Sequence, residues 1–340
     1  MNDVAFNKVL NSKYLLLSNI VKKYNYSEEL HDMMTYIYLI FYMDLGKQCD
    51  SVLYDLFNKV KIIHEPGTMN EIALKHNYGK MPNDCPAVTI FTPNLKVFND
   101  PNLKQKPQVI LVSSKTDDAV VTPIFKLEML LHEVRHALMG YYNNNILVDK
   151  NTYYMRSGIQ EVYYRKKEGL EDAFTTKKVG TILSEVVNTY ITERYVNKIL
   201  SLKKYNITNP NLKAYLNSLH TFQSDGIYRS LGYNDMVRLL YPLLLNETFY
   251  DIANIHEFDG ELSYIKSLIE NNNNFCDYEK FCNLIDTIFN GNQVYQTAKA
   301  KNDLRFVESH IQNITLLKKC VLELVKNIDD RKEIKKLIKQ

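Results

Sequence analysis

The sequence predicts an α+β fold, mostly helical, in which a small sheet precedes a central helix and helical segments flank both. Three observations lead there. Residues 60–64, 87–91 and 109–112 form short β-rich runs with Pro, Gly or Ser close by, the pattern of strands. Most segments outside them repeat apolar residues at helical spacing. The balance of 45% hydrophobic and 24% charged residues over 340 positions is that of a globular chain able to bury a large core. The expected organisation is a helical N-terminal layer over residues 1–59, a core over 60–205 and a helical C-terminal lobe over 206–340.

Residues 3–24 read as an amphipathic helix, and residues 28–45 as a more apolar one with Ser27 as N-cap and Gly46 as terminator. A third helix runs to about residue 58. The Tyr- and Met-rich stripe of the second helix is a core face. After the three strands, Thr122 and Pro123 fit the N-cap and first position of the central helix. Its stripe is Ile124, Leu127, Leu131, Val134 and Leu138, and Gly140 fits its C′ position. Residues 146–156 and 159–164 read as a hairpin hinged at Ser157-Gly158. A helix follows to about residue 200, and residues 206–211, with Pro210, mark a boundary. Helical periods then cover 212–222, 235–245, 261–269 and 277–289, with a last helix or pair over 303–339. Gly67 to Glu71 is similar to the G-x-M-E-N element of one aminopeptidase family, but its Asn and Glu are transposed, so it receives no role.

Lys and Arg number 42 against 39 Asp and Glu, a net charge of +3. Neither a nucleic-acid nor a membrane partner follows from so even a balance. Tyrosine is abundant and tryptophan absent, which a low-G+C gene explains without function. Five cysteines, Cys49, Cys85, Cys276, Cys282 and Cys320, are scattered without a C-x-x-C, as in a protein with reduced thiols. Met1-Asn2-Asp3-Val4 carries no basic stretch, and Leu15–Leu17 is too short for a signal or a membrane span. A cytoplasmic location is the expectation. His64 and His76 read as structural histidines.

The chemistry concentrates in Leu131-His132-Glu133-Val134-Arg135-His136. On a helix, positions i and i+4 share a face, so His132 and His136 can turn their imidazoles toward one metal ion. Glu133 stands about 100° round the helix, beside such an ion, where it can take a proton from a bound water. This is the H-E-x-x-H pattern. Arg135 is expected to face away from the metal and pair at the surface, whereas Glu128, one turn earlier on the histidine face, either supports the metal ligands from behind or is merely exposed. A catalytic zinc needs a third protein ligand and an open position. Glu185, in Leu183-Ser184-Glu185-Val186-Val187-Asn188-Thr189-Tyr190-Ile191-Thr192-Glu193, lies beside the apolar stripe of its helix, where a carboxylate needs a partner. Glu168 is the second choice, ahead of Glu171 and Asp172. Residues 142–145 leave no place for the third histidine of H-E-x-x-H-x-x-G-x-x-H.

Together these two stretches, within residues 122–200, resemble the zincin metallopeptidases of the glutamate-zincin (gluzincin) branch. The likeness is to bacterial members whose second motif reads L-N-E-G-x-x-E-Y-[IL]-T. Glu185 matches that family's third zinc ligand, and Tyr190 and Thr192 match its tyrosine and threonine. Val186 stands in place of a glycine, and Thr189 in place of the second glutamate. Asn188 or Thr189 can take over that acid's hydrogen bond to a ligand histidine. The resemblance implies a zincin-like core, Zn²⁺ held by His132, His136 and Glu185, Glu133 as general base and a peptide or protein substrate. It also implies a substrate-binding edge strand, at residues 87–92 or 109–112, and an oxyanion-stabilising His or Tyr, for which His220, Tyr228 and Tyr233 are candidates. Two other classes fit the same residues: a catalytically idle zincin-fold protein acting as a binding or regulatory module, and a helical interaction protein with a chance motif.

Overall fold

The computed structural model describes residues 2–83, 85–91, 107–115, 121–141, 144–147, 152–157, 159–166, 173–221, 228–230, 232–259 and 262–338. The described residues are mostly helical, with two small sheets, the α+β class expected. They divide into two compact units.

The first unit comprises the described residues of Met1–Thr92, Lys106–Tyr141 and Ile191–Ser230. It begins with α1 (Asp3–Tyr24), α2 (Glu28–Leu45) and, after a 3₁₀ turn, α3 (Asp50–Lys59). Asn2 and Ser27 cap α1 and α2 by accepting from the N–H groups of Ala5 and Leu30, each satisfying one of the orphan donors at a helix start. Every residue from Leu30 to Phe41 is buried, so α2 is a core helix and not an amphipathic one.

The first sheet has the order β1–β3–β2. β1 (Lys61–Pro66) runs parallel to β3 (Pro107–Lys115), and β2 (Ala87–Phe91) antiparallel to it. Residues 109–112 are therefore central, not an edge, because β3 is paired on both sides. β2 is at an edge of the described sheet. α4 (Met69–Lys75) starts at the Gly67–Glu71 stretch, where Thr68 and Glu71 form a reciprocal capping box. Its Met69, Ile72 and Ala73 form a core with Ile63, Val109 and Leu111, joined by Val88 and Ile90. Strand side chains alternate between faces. Thr89, between Val88 and Ile90 and paired with Ile110, thus belongs to the other face, which packs on α5 (Pro123–Tyr141).

α5 begins as expected, with the Phe125 N–H 3.4 Å from the Thr122 hydroxyl and the Lys126 N–H bonded to the Thr122 carbonyl. It continues through Gly140 to Tyr141, so that glycine is not its C′ residue. α6 (Thr181–Ser201) and α7 (Pro210–Thr221) follow in the chain. A 3₁₀ turn (Leu202–Lys204) and residues 205–209 separate them, and the Asn7 side chain holds that link by bonds to Asn206 and Thr208.

The second unit comprises the described residues of Tyr142–Tyr190 and Leu231–Gln340. Its sheet is an antiparallel meander of β4 (Asn144–Leu147), β5 (Thr152–Ser157), β6 (Gln160–Lys166) and β7 (Ala173–Val179). The expected hairpin is there, with Ser157 opposite Gln160, although Gly158 lies outside the described residues. Its first strand is two strands, β4 and β5, and β7 is additional. Helices α8 (Asn234–Leu245), α9 (Glu247–Asp259), α10 (Leu262–Asn272), α11 (Tyr278–Ala300) and α12 (Leu304–Ile338) complete the unit. α9 is unforeseen, α11 outruns its expected end, and α12 is one helix and not a pair. None of the five cysteines is in a disulfide. Among the described residues no helix is long and apolar enough to cross a membrane.

Gly180 sets the start of α6. Its φ is +77°, and a Cβ there would lie 2.6 Å from both the Ile159 carbonyl oxygen and the Tyr278 hydroxyl. Its own carbonyl accepts the Ser184 N–H that opens the helix. Gly46 has a φ of +73° with nothing within 4 Å of such a Cβ. In urea unfolding, Gly180→Ala should therefore cost about 2–3 kcal/mol from conformation and overlap together, and Gly46→Ala only about 1 kcal/mol.

A second prediction concerns Asp32, 6% exposed in α2 with Oδ1 accepting no hydrogen bond from the protein. Burial, reinforced by Glu28 and Glu29, pushes its carboxyl up to about 7. Between about pH 4 and pH 7 the folded state holds a proton that the unfolded chain, with an ordinary aspartate near 3.9, has released. Stability contributed by this group therefore falls as pH rises through that window and is constant above it. Asp32→Asn should raise the melting temperature at pH 8 and change it little at pH 4.

Candidate metal centre

α5 is buried on nearly every side. Glu128, Glu133 and Arg135 are 6%, 7% and 0% exposed, whereas His132 and His136, one turn apart, are among its few partly exposed residues. Their Nε2 atoms are 3.0 Å from each other, with the ring planes 73° apart. Two histidine nitrogens bound to one tetrahedral zinc at 2.0–2.1 Å would lie about 3.3 Å apart, so the pair is nearly set for a shared cation. Glu185, on α6, completes the group. Ligand atoms of His132, His136 and Glu185 all lie within 4.8 Å of one another, and all three residues are partly exposed. Two neutral imidazoles and a carboxylate can hold a divalent ion that accepts nitrogen and oxygen ligands. Among the described residues this is the one group of three or more His, Cys, Asp or Glu so placed. Glu168, Glu171 and Asp172, the rival ligands, lie outside the described residues.

Glu133 turns from the histidine face toward the sheet. The Thr89 hydroxyl is 2.7 Å from Glu133 Oε2 and 3.0 Å from the Glu133 carbonyl oxygen. This contact between edge strand and helix was not foreseen. It follows from the alternation of Ala87-Val88-Thr89-Ile90-Phe91, where one hydroxyl interrupts an apolar strand.

Arg135 is not at the surface. It is fully buried, its guanidinium 5.7 Å from the centre of the Tyr195 ring. The Tyr195 hydroxyl donates to Asp44, which also pairs with Lys198. A planar guanidinium tolerates such burial better than an ammonium because it is more weakly hydrated and stacks on aromatic faces.

Residues 228–230 are bonded by three polar side chains. Asn197 of α6 exchanges hydrogen bonds with the backbone of Tyr228, at 2.9 and 2.7 Å. Glu193 accepts from Arg229 Nη1 at 2.7 Å and from the Ser230 N–H at 3.1 Å. Glu128 accepts from the Tyr228 hydroxyl. Burial raises the Glu128 carboxyl above the ordinary glutamate range, against the hydrogen bonds of Ser230 and Tyr228 and the nearby His132, which lower it. Burial also pushes the Tyr228 phenol far up, so its hydroxyl stays a donor. Glu128, open at the level of sequence, is thus buried and partnered.

The other expected site residues have these positions. Asn188 and Thr189 are buried, 0% and 3% exposed, and follow Glu185 by three and four positions on α6, on its side of the helix. His220 closes α7, its Nε2 3.1 Å from the Leu200 carbonyl oxygen. Tyr233 caps α8 with a φ of +51°, its ring 5.4 Å from that of Phe289. Tyr190 is buried with its ring edge-on to Tyr241.

The fold and this donor set define a mostly helical α+β protein with a His/His/Glu group able to hold a metal ion. No known protein family, no curated protein and no solved structure matches the chain.

The buried carboxylate of Glu193 should be a strong stabiliser, because removing it leaves the Ser230 N–H buried without an acceptor. Glu193→Ala is expected to cost about 2–3 kcal/mol in urea unfolding. Arg229→Ala, which removes a side chain 61% exposed, should cost under about 1 kcal/mol.

Proposed function

We propose that the protein is a zinc-dependent peptide hydrolase of the gluzincin type. The observation that carries this reading is the convergence of His132, His136 and Glu185 within 4.8 Å, with Glu133 next in sequence to the first ligand. Those three side chains would hold Zn²⁺. When bound, the ion supplies a water acidified toward neutrality and a polarised substrate carbonyl.

The chain's own residues do the rest. Glu133 accepts the proton of the attacking water at a carboxylate oxygen and returns it to the leaving amine. With Oε2 engaged by Thr89, the free oxygen for this task is Oε1. β2, at an edge of the described sheet and joined to Glu133 through Thr89, is the strand on which an extended peptide would lie by main-chain pairing. His220, Tyr228 and Tyr233 are the candidate donors to the oxyanion; the Tyr228 proton, given to Glu128 in the structure, would have to turn from that carboxylate to serve.

Metal content by elemental analysis is the first test. Wild type purified without added metal should carry one zinc per chain, and Glu185→Ala should lose most of it. Glu133→Gln should keep the zinc and lower the cleavage of a peptide library by about 10²–10⁴-fold, the usual worth of a general base. Zinc without cleavage of any peptide would leave a metal-binding module in place of a hydrolase. A wild type that takes up no zinc when it is offered would overturn the metal reading itself.

A further inference from the structure

The Thr89 contact carries the reading one residue further. Thr89 lies in an edge strand whose neighbouring side chains, Val88 and Ile90, pack into the α4 core. It is the residue that this alternation turns toward α5. Its hydroxyl meets a side chain 7% exposed and, among the described residues, bonds only to Glu133, at Oε2 and at the carbonyl oxygen. The hydroxyl carries one proton, and its shorter approach, 2.7 Å to Oε2 against 3.0 Å to the carbonyl oxygen, is to the carboxylate, which it holds against the strand. A buried carboxylate without such a donor would turn toward whatever cation or solvent it could reach.

We infer that Thr89 is the positioning residue for Glu133: its hydroxyl fixes the plane of the carboxylate, committing Oε2 to the strand and presenting Oε1 to water at the metal. The inference rests on the metal-hydrolase reading and adds to it a residue outside both motifs. Orientation of a reacting group is worth as much as its presence, because a misaimed base loses the near-attack geometry on which its rate depends.

Val replaces the Thr hydroxyl with a methyl group at nearly the same shape and keeps the β-branched fit to a strand, whereas Ser keeps the hydroxyl. Thr89→Val, Thr89→Ser and Glu133→Gln should all fold, judged by circular dichroism, and all bind one zinc. With a peptide cut by wild type, Thr89→Val should lose at least about tenfold in kcat with KM within about twofold, and Thr89→Ser should recover most of the rate. In the Glu133→Gln background, Thr89→Val should add no further loss. Unchanged kcat in Thr89→Val, or equal losses in Val and Ser, would overturn the positioning role and leave the hydrolase reading standing.

The cobalt form separates the two ideas if wild type binds metal yet cuts nothing. The visible Co²⁺ bands of Thr89→Val should then move from the wild-type position toward those of Glu133→Gln, and Thr89→Ser should stay with wild type. Coincident spectra of wild type, Thr89→Val and Glu133→Gln would overturn the inference. A protein that takes up neither zinc nor cobalt would overturn both ideas.

Discussion

α5 is a buried helix that carries charge, and the organisation of the residues around it depends on that conflict. Within eight residues it has Glu128, Glu133 and Arg135, each under a tenth exposed. An unpaired charge in such surroundings costs several kcal/mol, so each one requires a partner from a neighbouring element. Glu128 takes Tyr228, Glu133 takes Thr89, and Arg135 lies over Tyr195. Those needs fix which strand, helix and loop residues pack against α5, and in which orientation. The two histidines differ because they are partly exposed, as a pair able to hold a metal ion has to be for the ion to reach it.

The same logic extends to Tyr228–Ser230. Residues 228–230, in neither helix nor strand, have no regular ladder for their backbone polar groups, and side chains supply partners. Asn197 takes both backbone groups of Tyr228, and Glu193 takes the Ser230 N–H. Glu193 is the final residue of the Leu183–Glu193 stretch. Its carboxylate holds the segment that brings Tyr228 to Glu128, so one end of α6 carries the third candidate ligand and a later turn carries the clamp.

Much of this was legible in the sequence, for reasons that can be named. The start and end of α2 follow from Ser27 and Gly46, whose capping chemistry is local. The paired histidines follow from helical period alone. The third ligand needed a different argument, a carboxylate beside an apolar stripe, which works because burial of charge is costly wherever it occurs. What escaped were features decided by tertiary contact. Arg135 reads as a surface cation until Tyr195 covers it. α4 is only seven residues long, too short for a periodic signal, and its capping box was visible but read as a damaged motif. Residues 109–112 look the same as a central or an edge strand, because pairing on the second side depends on a strand distant in sequence. Gly140 looks like a terminator, yet a glycine inside a helix costs only about 1 kcal/mol, which the buried surroundings of α5 override.

Stability alone does not call for α5 as it is built. A buried ion pair or carboxylate can often be replaced by apolar residues of similar volume without loss, and at times with gain. Thr89 and Glu133 illustrate the point. A valine and a leucine would fill the contact between β2 and α5 and need no desolvation. The hydroxyl–carboxylate pair adds direction: it ties the side chain of an acid next to a candidate metal ligand to one residue of β2, at an edge of the described sheet. Packing has no use for that direction, whereas proton transfer at a metal-bound water depends on it. The polar contacts of α5 are therefore best understood as the cost of holding chemical groups in a set orientation.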